Sequence, residues 1–281
     1  MTNTQLENGL TLVLGGTGKT GRRVVERLEA LEVPVRMGSR SASPAFDWED
    51  EATWAPVLRG VEKVYLSYYP DLTAPGAREA IRGFTAKAVE AGVRCAVLLS
   101  GRGEPEAREC EEIVRASGLE WTVVRASWFA QNFSEDYLLD PVRAGEVALP
   151  VGEVPEPFVD AGDIADVAVA ALTSAGHAGE VYEVTGPRAL TFAEAVAEIG
   201  RAAGREIAFV PVAAADYAAV LGRHGVPGEL IEFLTHLFTT VLDGRNALPA
   251  DGVRRALGRA PRDFAEYARE TAASGVWNGS E

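Results

Sequence analysis

Cysteine, lysine, histidine and methionine are all scarce in this chain: two, three, three and two residues among 281. Cys95 in an apolar run and Cys110 in a charged helical stretch are too few for a disulfide scaffold, and no Cys-x-x-Cys is present. His177, His224 and His236 are scattered without the spacing of a metal cluster, so no metal is expected. No apolar stretch nears the ~18 residues of a membrane span. The opening "MTNTQLENG" lacks a basic-then-apolar signal. A cytoplasmic protein with no membrane partner is the expectation. Positive charge is short as well: Lys plus Arg is 27 against 41 Asp plus Glu, a net charge of −14. A surface that negative repels phosphate backbones and no basic patch offsets it, so no nucleic-acid partner is expected. Composition is equally compatible with a monomer and a homodimer.

What is present is the balance of a soluble globular chain, 47% hydrophobic and 24% charged. Strand-like runs at 10–14, 33–37, 61–67, 95–100 and 121–124 alternate with helical stretches at 21–31, 53–58, 78–91 and 104–117. Alternation of this kind predicts an α/β fold, a Rossmann-type doubly wound parallel sheet with helices on both faces. After Leu149 the texture changes to the proline-rich "PVGEVPEPF". The expected division is therefore a dinucleotide-binding part over 1–150 and a smaller substrate-binding cap over 151–281, interleaved with the first. In the second part Asp163 is expected to cap a helix, with Asp160 in a similar role, and Thr191 with Glu194 has capping-box spacing.

Gly15, Gly18 and Gly21 follow the first strand and open the first helix. Gly18-Lys19-Thr20 resembles the end of a P-loop, but that loop needs a glycine five residues earlier, where Val13 stands inside the strand. The spacing instead fits a dinucleotide turn. Gly15 makes the tight bend, Gly18 admits a pyrophosphate to the helix N-terminus, and Gly21 lets helix and strand approach. Thr17, Lys19 and Thr20 complete the expected grip. An NAD site commonly carries an acid near the end of the second strand. Here the stretch "VPVRMGSRSASP" has none, but offers Arg36, Ser39, Arg40 and Ser41 to a 2′-phosphate. NADP(H) is the expected cofactor, with NAD(H) as the alternative. Asp47 and Trp48, at the expected end of a third strand, are candidates to frame the adenine.

The motifs "GGTGKTGRRV", "FDWEDEATW", "LLSGRG", "GLEWTVVRASWFAQNF", "DIADVAVAAL", "GEVYEVTGP" and "ALGRAPRDFAEYA" run in order along nearly the whole chain. In these the chain resembles the NmrA-like branch of atypical short-chain dehydrogenases/reductases. It is similar to ergot-alkaloid-type iminium reductases and to bacterial triphenylmethane-dye and quinone reductases. The resemblance implies an NADPH-dependent reductase of a small, largely apolar, conjugated or cyclic acceptor, of the kind used in secondary metabolism. Its alternative is a non-catalytic redox sensor, since some relatives bind NADP(H) without turning it over and act through a protein partner.

The short-chain dehydrogenase pair Tyr-x-x-x-Lys is missing. None of Tyr65, Tyr68, Tyr69, Tyr137, Tyr182, Tyr217 and Tyr267 has lysine four residues on. Either nothing is reduced, or the acceptor needs little help from a proton donor. Ser100 and Tyr69 are the weak catalytic candidates. Tyr68, Ser100 and Gly101 are expected beside the nicotinamide end of the cofactor. Tyr69, Arg102, Trp128, Phe129, Asn132, Phe133, Phe233 and His236 are the candidate substrate residues. For Trp128 and Phe129 the alternative is packing between elements, and for Ser100 a strand-terminal hydroxyl.

Overall fold

The computed structural model describes residues 9–278. Along the chain run β1 (Leu10–Leu14), α1 (Gly21–Ala30), β2 (Val35–Gly38), α2 (Trp54–Leu58), β3 (Val61–Leu66), α3 (Ala77–Glu90), β4 (Cys95–Gly101), α4 (Pro105–Arg115) and β5 (Glu120–Ala126). There follow α5 (Asn132–Glu135), α6 (Leu139–Ala144), β6 (Glu146–Leu149), α7 (Ala161–Thr173), β7 (Glu180–Val184), α8 (Phe192–Ala203), β8 (Ala208–Pro211), α9 (Ala214–Arg223), α10 (Gly228–His236), α11 (Gly252–Leu257) and α12 (Phe264–Ala273). The chain groups into two units, each gathered from three stretches.

The first unit runs to Ala126 and takes back Ala161–Val184 and Asp251–Arg259. Its strands form one parallel sheet in the order β2-β1-β3-β4-β5-β7. Strands buried on both faces must be apolar throughout, and Leu12, Val13, Leu14, Val64, Leu66, Val97, Leu98, Val123 and Val124 are fully buried. The strand order reverses at β1, with β2 on one side and β3 on the other. In open α/β sheets that switch point is where ligands bind, beyond the carboxyl ends of the strands. The third strand expected at Asp47 and Trp48 is absent: Asp47 makes only an isolated bridge to Asp50. The segment is held instead as a turn, with the Asp47 carbonyl accepting from Trp54 Nε1 at 2.7 Å and the Asp47 amide donating to Thr53 Oγ1 at 3.0 Å. Lys63, one of the three lysines, is buried and donates to the Leu172 carbonyl at the end of α7 at 2.9 Å.

The second unit comprises Ser127–Asp160, Thr185–Ala250 and the chain from Ala260 onward. The change of texture at Leu149 thus falls inside it, and the chain enters it at Ser127. It carries a two-stranded parallel sheet, β6 with β8. Its core is aromatic: Phe133, Phe158, Phe192 and Phe264 lie with ring centroids 5.0–6.0 Å apart. The Thr191–Glu194 capping box forms as expected. Arg188 grips both oxygens of Asp263 at 2.8 Å and also reaches Glu198 on α8, tying α8 to the start of α12. Asp163 is not a cap. It is the third residue of α7, fully buried, and pairs with Arg259 at 2.7 Å within the first unit. Cys95 and Cys110 are free and buried, and burial pushes their thiols up to about 11 and about 12.

Candidate active site

The glycine turn at the switch point has the shape its spacing demands. Gly15 has φ +65°, the left-handed region that favours glycine. A Cβ on Gly21 would stand 2.1 Å from the Gly15 carbonyl oxygen, so only glycine lets α1 start so close to the turn. The Gly18 amide closes the bend onto that same carbonyl at 2.8 Å. Thr20 precedes α1 without capping it, because its hydroxyl instead accepts from Tyr65 Oη at 3.0 Å. No acidic side chain occupies the first turn of α1. An uncapped helix N-terminus with no anion of its own fits a diphosphate.

Beyond β2 the expected phosphate-binding group separates into two. Arg36 is spent on structure: its guanidinium donates to the carbonyls of Val57 and Arg59 at 2.7 Å each. Arg40 stands exposed, with Ser39 and Ser41 beside it, their hydroxyls 3.3 Å apart. Trp48 is half-buried, donates to the Ser67 carbonyl at 3.2 Å and packs against Tyr68 with ring centroids 4.9 Å apart. Asp47 accepts from the Glu49 amide at 3.1 Å, which fixes its turn.

At the carboxyl ends of β4 and β5 the polar groups form a closed chain. Ser100 is buried and donates to Glu111 Oε1 at 2.6 Å. Glu111 takes a fork of bonds from Arg125, at 2.9 and 2.5 Å. Arg125 reaches on to Glu183 at 2.8 Å, and Glu183 accepts from Arg102 at 3.1 Å. Burial works against ionising Glu183, but Arg125 and Arg102 outweigh it and hold its carboxyl below the usual range. Ser100 and Arg102 are therefore both tethered to carboxylates. The hydroxyl hydrogen of Ser100 faces Glu111, which leaves it an acceptor toward anything at the end of β4. Tyr69 is 74% exposed in the loop after β3.

The second unit sorts its candidates differently. Phe133 is fully buried among Phe158, Phe192 and Phe264 and serves the core rather than a binding surface. His236 is exposed on α10, while Leu234 and Phe238 are buried. Phe233 is partly buried against the core, and Phe129 and Asn132 are half-buried. Trp128 packs on Phe192 and Phe238 at 5.6 and 5.1 Å. Phe238 sits in a single π-type turn, Leu237–Val241, that prolongs α10, a feature frequent at functional sites. Tyr137 and Tyr217 also contact Phe238, at 6.3 and 5.7 Å.

On two of the side chains packed against that ring, Trp128 Nε1 and Tyr137 Oη are buried and lack a full hydrogen bond, as does Thr235 Oγ1, three residues before Phe238 in the chain. The Trp128 indole acts on the Tyr137 hydroxyl without reaching full hydrogen-bond geometry. Burial, with Tyr217 and Asp136 nearby, raises that hydroxyl well above the ordinary tyrosine range, so it is a donor at neutral pH. Tyr137, Tyr217, Thr235 and Phe238 carry no sequence motif. Only the fold shows them converging.

Residues 15–175, from the glycine turn to the end of α7, match the family model described as NAD(P)H-binding. The chain belongs to the NAD(P)H-binding family. Among its relatives are an NAD(P)H azoreductase of Xenophilus azovorans, 32% identical over 94% of this chain and 99% of that one, and an agroclavine dehydrogenase of Claviceps fusiformis, 30% identical over 95% and 98%. The NADPH complex of the Escherichia coli quinone oxidoreductase QOR2 shares its fold, with a TM-score of 0.78 and 24% identity over 93% of this chain and 99% of that one. This NAD(P)H-binding protein is thus an oxidoreductase.

Proposed function

We propose that the protein is an NADPH-dependent reductase of a small, flat, largely apolar conjugated acceptor, a quinone or enone before an imine or iminium. The observation that carries the acceptor class is the pair of buried polar atoms beside Phe238, Trp128 Nε1 and Tyr137 Oη, which meet each other without full hydrogen-bond geometry. A buried donor without a partner costs about 1–3 kcal/mol. A ligand with a carbonyl-type oxygen recovers that cost while its ring takes the apolar contacts of Trp128 and Phe192. A cationic iminium offers Tyr137 no lone pair to accept. The bound coenzyme supplies hydride, and the protein's part is to place the accepting carbon. The preference for NADPH rests on Arg40, Ser39 and Ser41 and on the missing acid after β2.

The test is NADPH consumption against a panel of quinones, enones, azo dyes and cyclic iminium ions, alongside calorimetric titration of NADPH and NADH. Turnover of at least one neutral carbonyl acceptor is expected. Tight NADPH binding with no turnover across the panel overturns the reading and leaves a nucleotide sensor.

A further inference from the structure

The short-chain pair that would protonate the product is missing, yet among the described residues of the first unit one buried carboxyl oxygen lacks a hydrogen-bond partner. Glu104 follows β4 by three residues, at the N-cap position of α4. An acidic residue there ordinarily accepts from the first-turn amides, but Glu104 makes no such bond. The residue is only 8% exposed, and its Oε2 is fully buried with no hydrogen-bond partner. That oxygen is folded back over the end of β4: a Cβ on Gly101 would stand 1.8 Å from it. It therefore lies at the carboxyl edge of the sheet, where ligands bind in this architecture.

We propose that Glu104 is the proton donor of this reductase, passing its carboxyl hydrogen to a neutral acceptor as hydride reaches the acceptor's carbon. The inference rests on the reductase reading above. In the step, the acceptor gains hydride from the dihydronicotinamide at carbon and a proton from Glu104 at oxygen. The coenzyme leaves oxidised and the glutamate regains its proton from water. An acceptor that is already a cation needs hydride alone, so Glu104 is idle for it.

The surroundings keep the proton in place at neutral pH. Burial is the largest cause, followed by the negative charge of Asp71, in the loop after β3, and of Glu106 in the first turn of α4; together they push Glu104 up to about 9. Asp71 is itself raised by burial, against the bonds it accepts from the Thr73 amide and hydroxyl at 2.8 and 2.9 Å. Arg102, the nearest cation in sequence, is engaged by Glu183. A carboxylic acid kept neutral by an apolar site and a like charge can donate at neutral pH.

The deciding comparison is wild type against Glu104→Gln on two acceptors, a neutral quinone and a cationic triphenylmethane dye. General acid catalysis is worth about 10²–10⁴-fold, so kcat for the quinone should fall about 100-fold or more, while the dye rate stays unchanged. Wild-type quinone turnover should also decline as pH rises through about 9, a limb that Glu104→Gln removes and Asp71→Asn moves to lower pH. A third readout needs no turnover. A carboxyl that keeps its proton in the fold but loses it when unfolded makes stability fall as pH rises from about 4.5 to about 9. Melting curves of Glu104→Gln should lack that decline. Equal losses on quinone and dye, or superimposable melting-versus-pH curves, overturn the assignment while leaving the reductase reading intact. A wild type inert toward every acceptor removes both.

Discussion

The carboxyl edge of the first unit and the aromatic ring of the second treat polar groups in opposite ways. At the ends of β4 and β5, Ser100, Glu111, Arg125, Glu183 and Arg102 form an unbroken chain of bonds. Beside Phe238, by contrast, an indole nitrogen and a hydroxyl are buried and meet each other without full hydrogen-bond geometry. A satisfied network fixes positions, and changing it costs stability. Unspent donors cost stability as they stand, and are kept where something else recovers the loss. On the proposed reading, the first arrangement supports the coenzyme and the second receives the acceptor.

The scaffold breaks most dramatically at Arg125. Glu111 is 1% exposed, so Arg125→Met leaves a buried carboxylate with only Ser100 to bond it. Removing one partner of such a pair costs about 3–5 kcal/mol, which urea unfolding at neutral pH should register. A smaller loss with unchanged binding would mean that Ser100 and water carry the charge. Gly21→Ala comes next. The added carbon must displace the Gly15 carbonyl or the start of α1, an overpacking cost of about 1–3 kcal/mol. Calorimetry should show NADPH affinity down about tenfold or more. Undiminished affinity would detach the glycine turn from the diphosphate.

The same contrast decides what the sequence discloses. The first unit is legible because its signals are local. Five strand-like runs fall on β1 to β5, and the glycine triad marks the turn after β1. The strand end expected at Asp47 and Trp48 is absent because the Trp54 and Thr53 bonds to Asp47 hold a turn there. Arg36 misled because its carbonyl partners, Val57 and Arg59, lie more than twenty residues away. The second unit is harder to read. Its aromatic cluster joins Trp128, Tyr137, Phe192, Tyr217 and Phe238 from separated segments. Glu104 went unnoticed for a similar reason: "SGRGEPEARE" shows an acid before a proline, but neither its missing cap bond nor Asp71 opposite.

At the rim of the first unit, Arg40→Asp tests cofactor choice without touching the network. Arg40 is exposed, so the fold should be unaffected. Charge-assisted bonds to a phosphate are worth about 1.5–3 kcal/mol, so the NADPH-to-NADH ratio of kcat/KM should drop by about tenfold or more. An unchanged ratio would assign the 2′-phosphate to another group.

The mildest change separates the two regions most sharply. Tyr137→Phe deletes a buried hydroxyl that has no full partner, so the folded protein should gain up to about 1 kcal/mol, whereas truncations in the scaffold lose stability. Activity should move the other way. KM for a quinone should rise, while an acceptor of similar shape without a carbonyl should show no change. If Tyr137→Phe instead lowers the melting temperature, the hydroxyl already has a partner in solution, and the ring around Phe238 is core rather than a recognition surface.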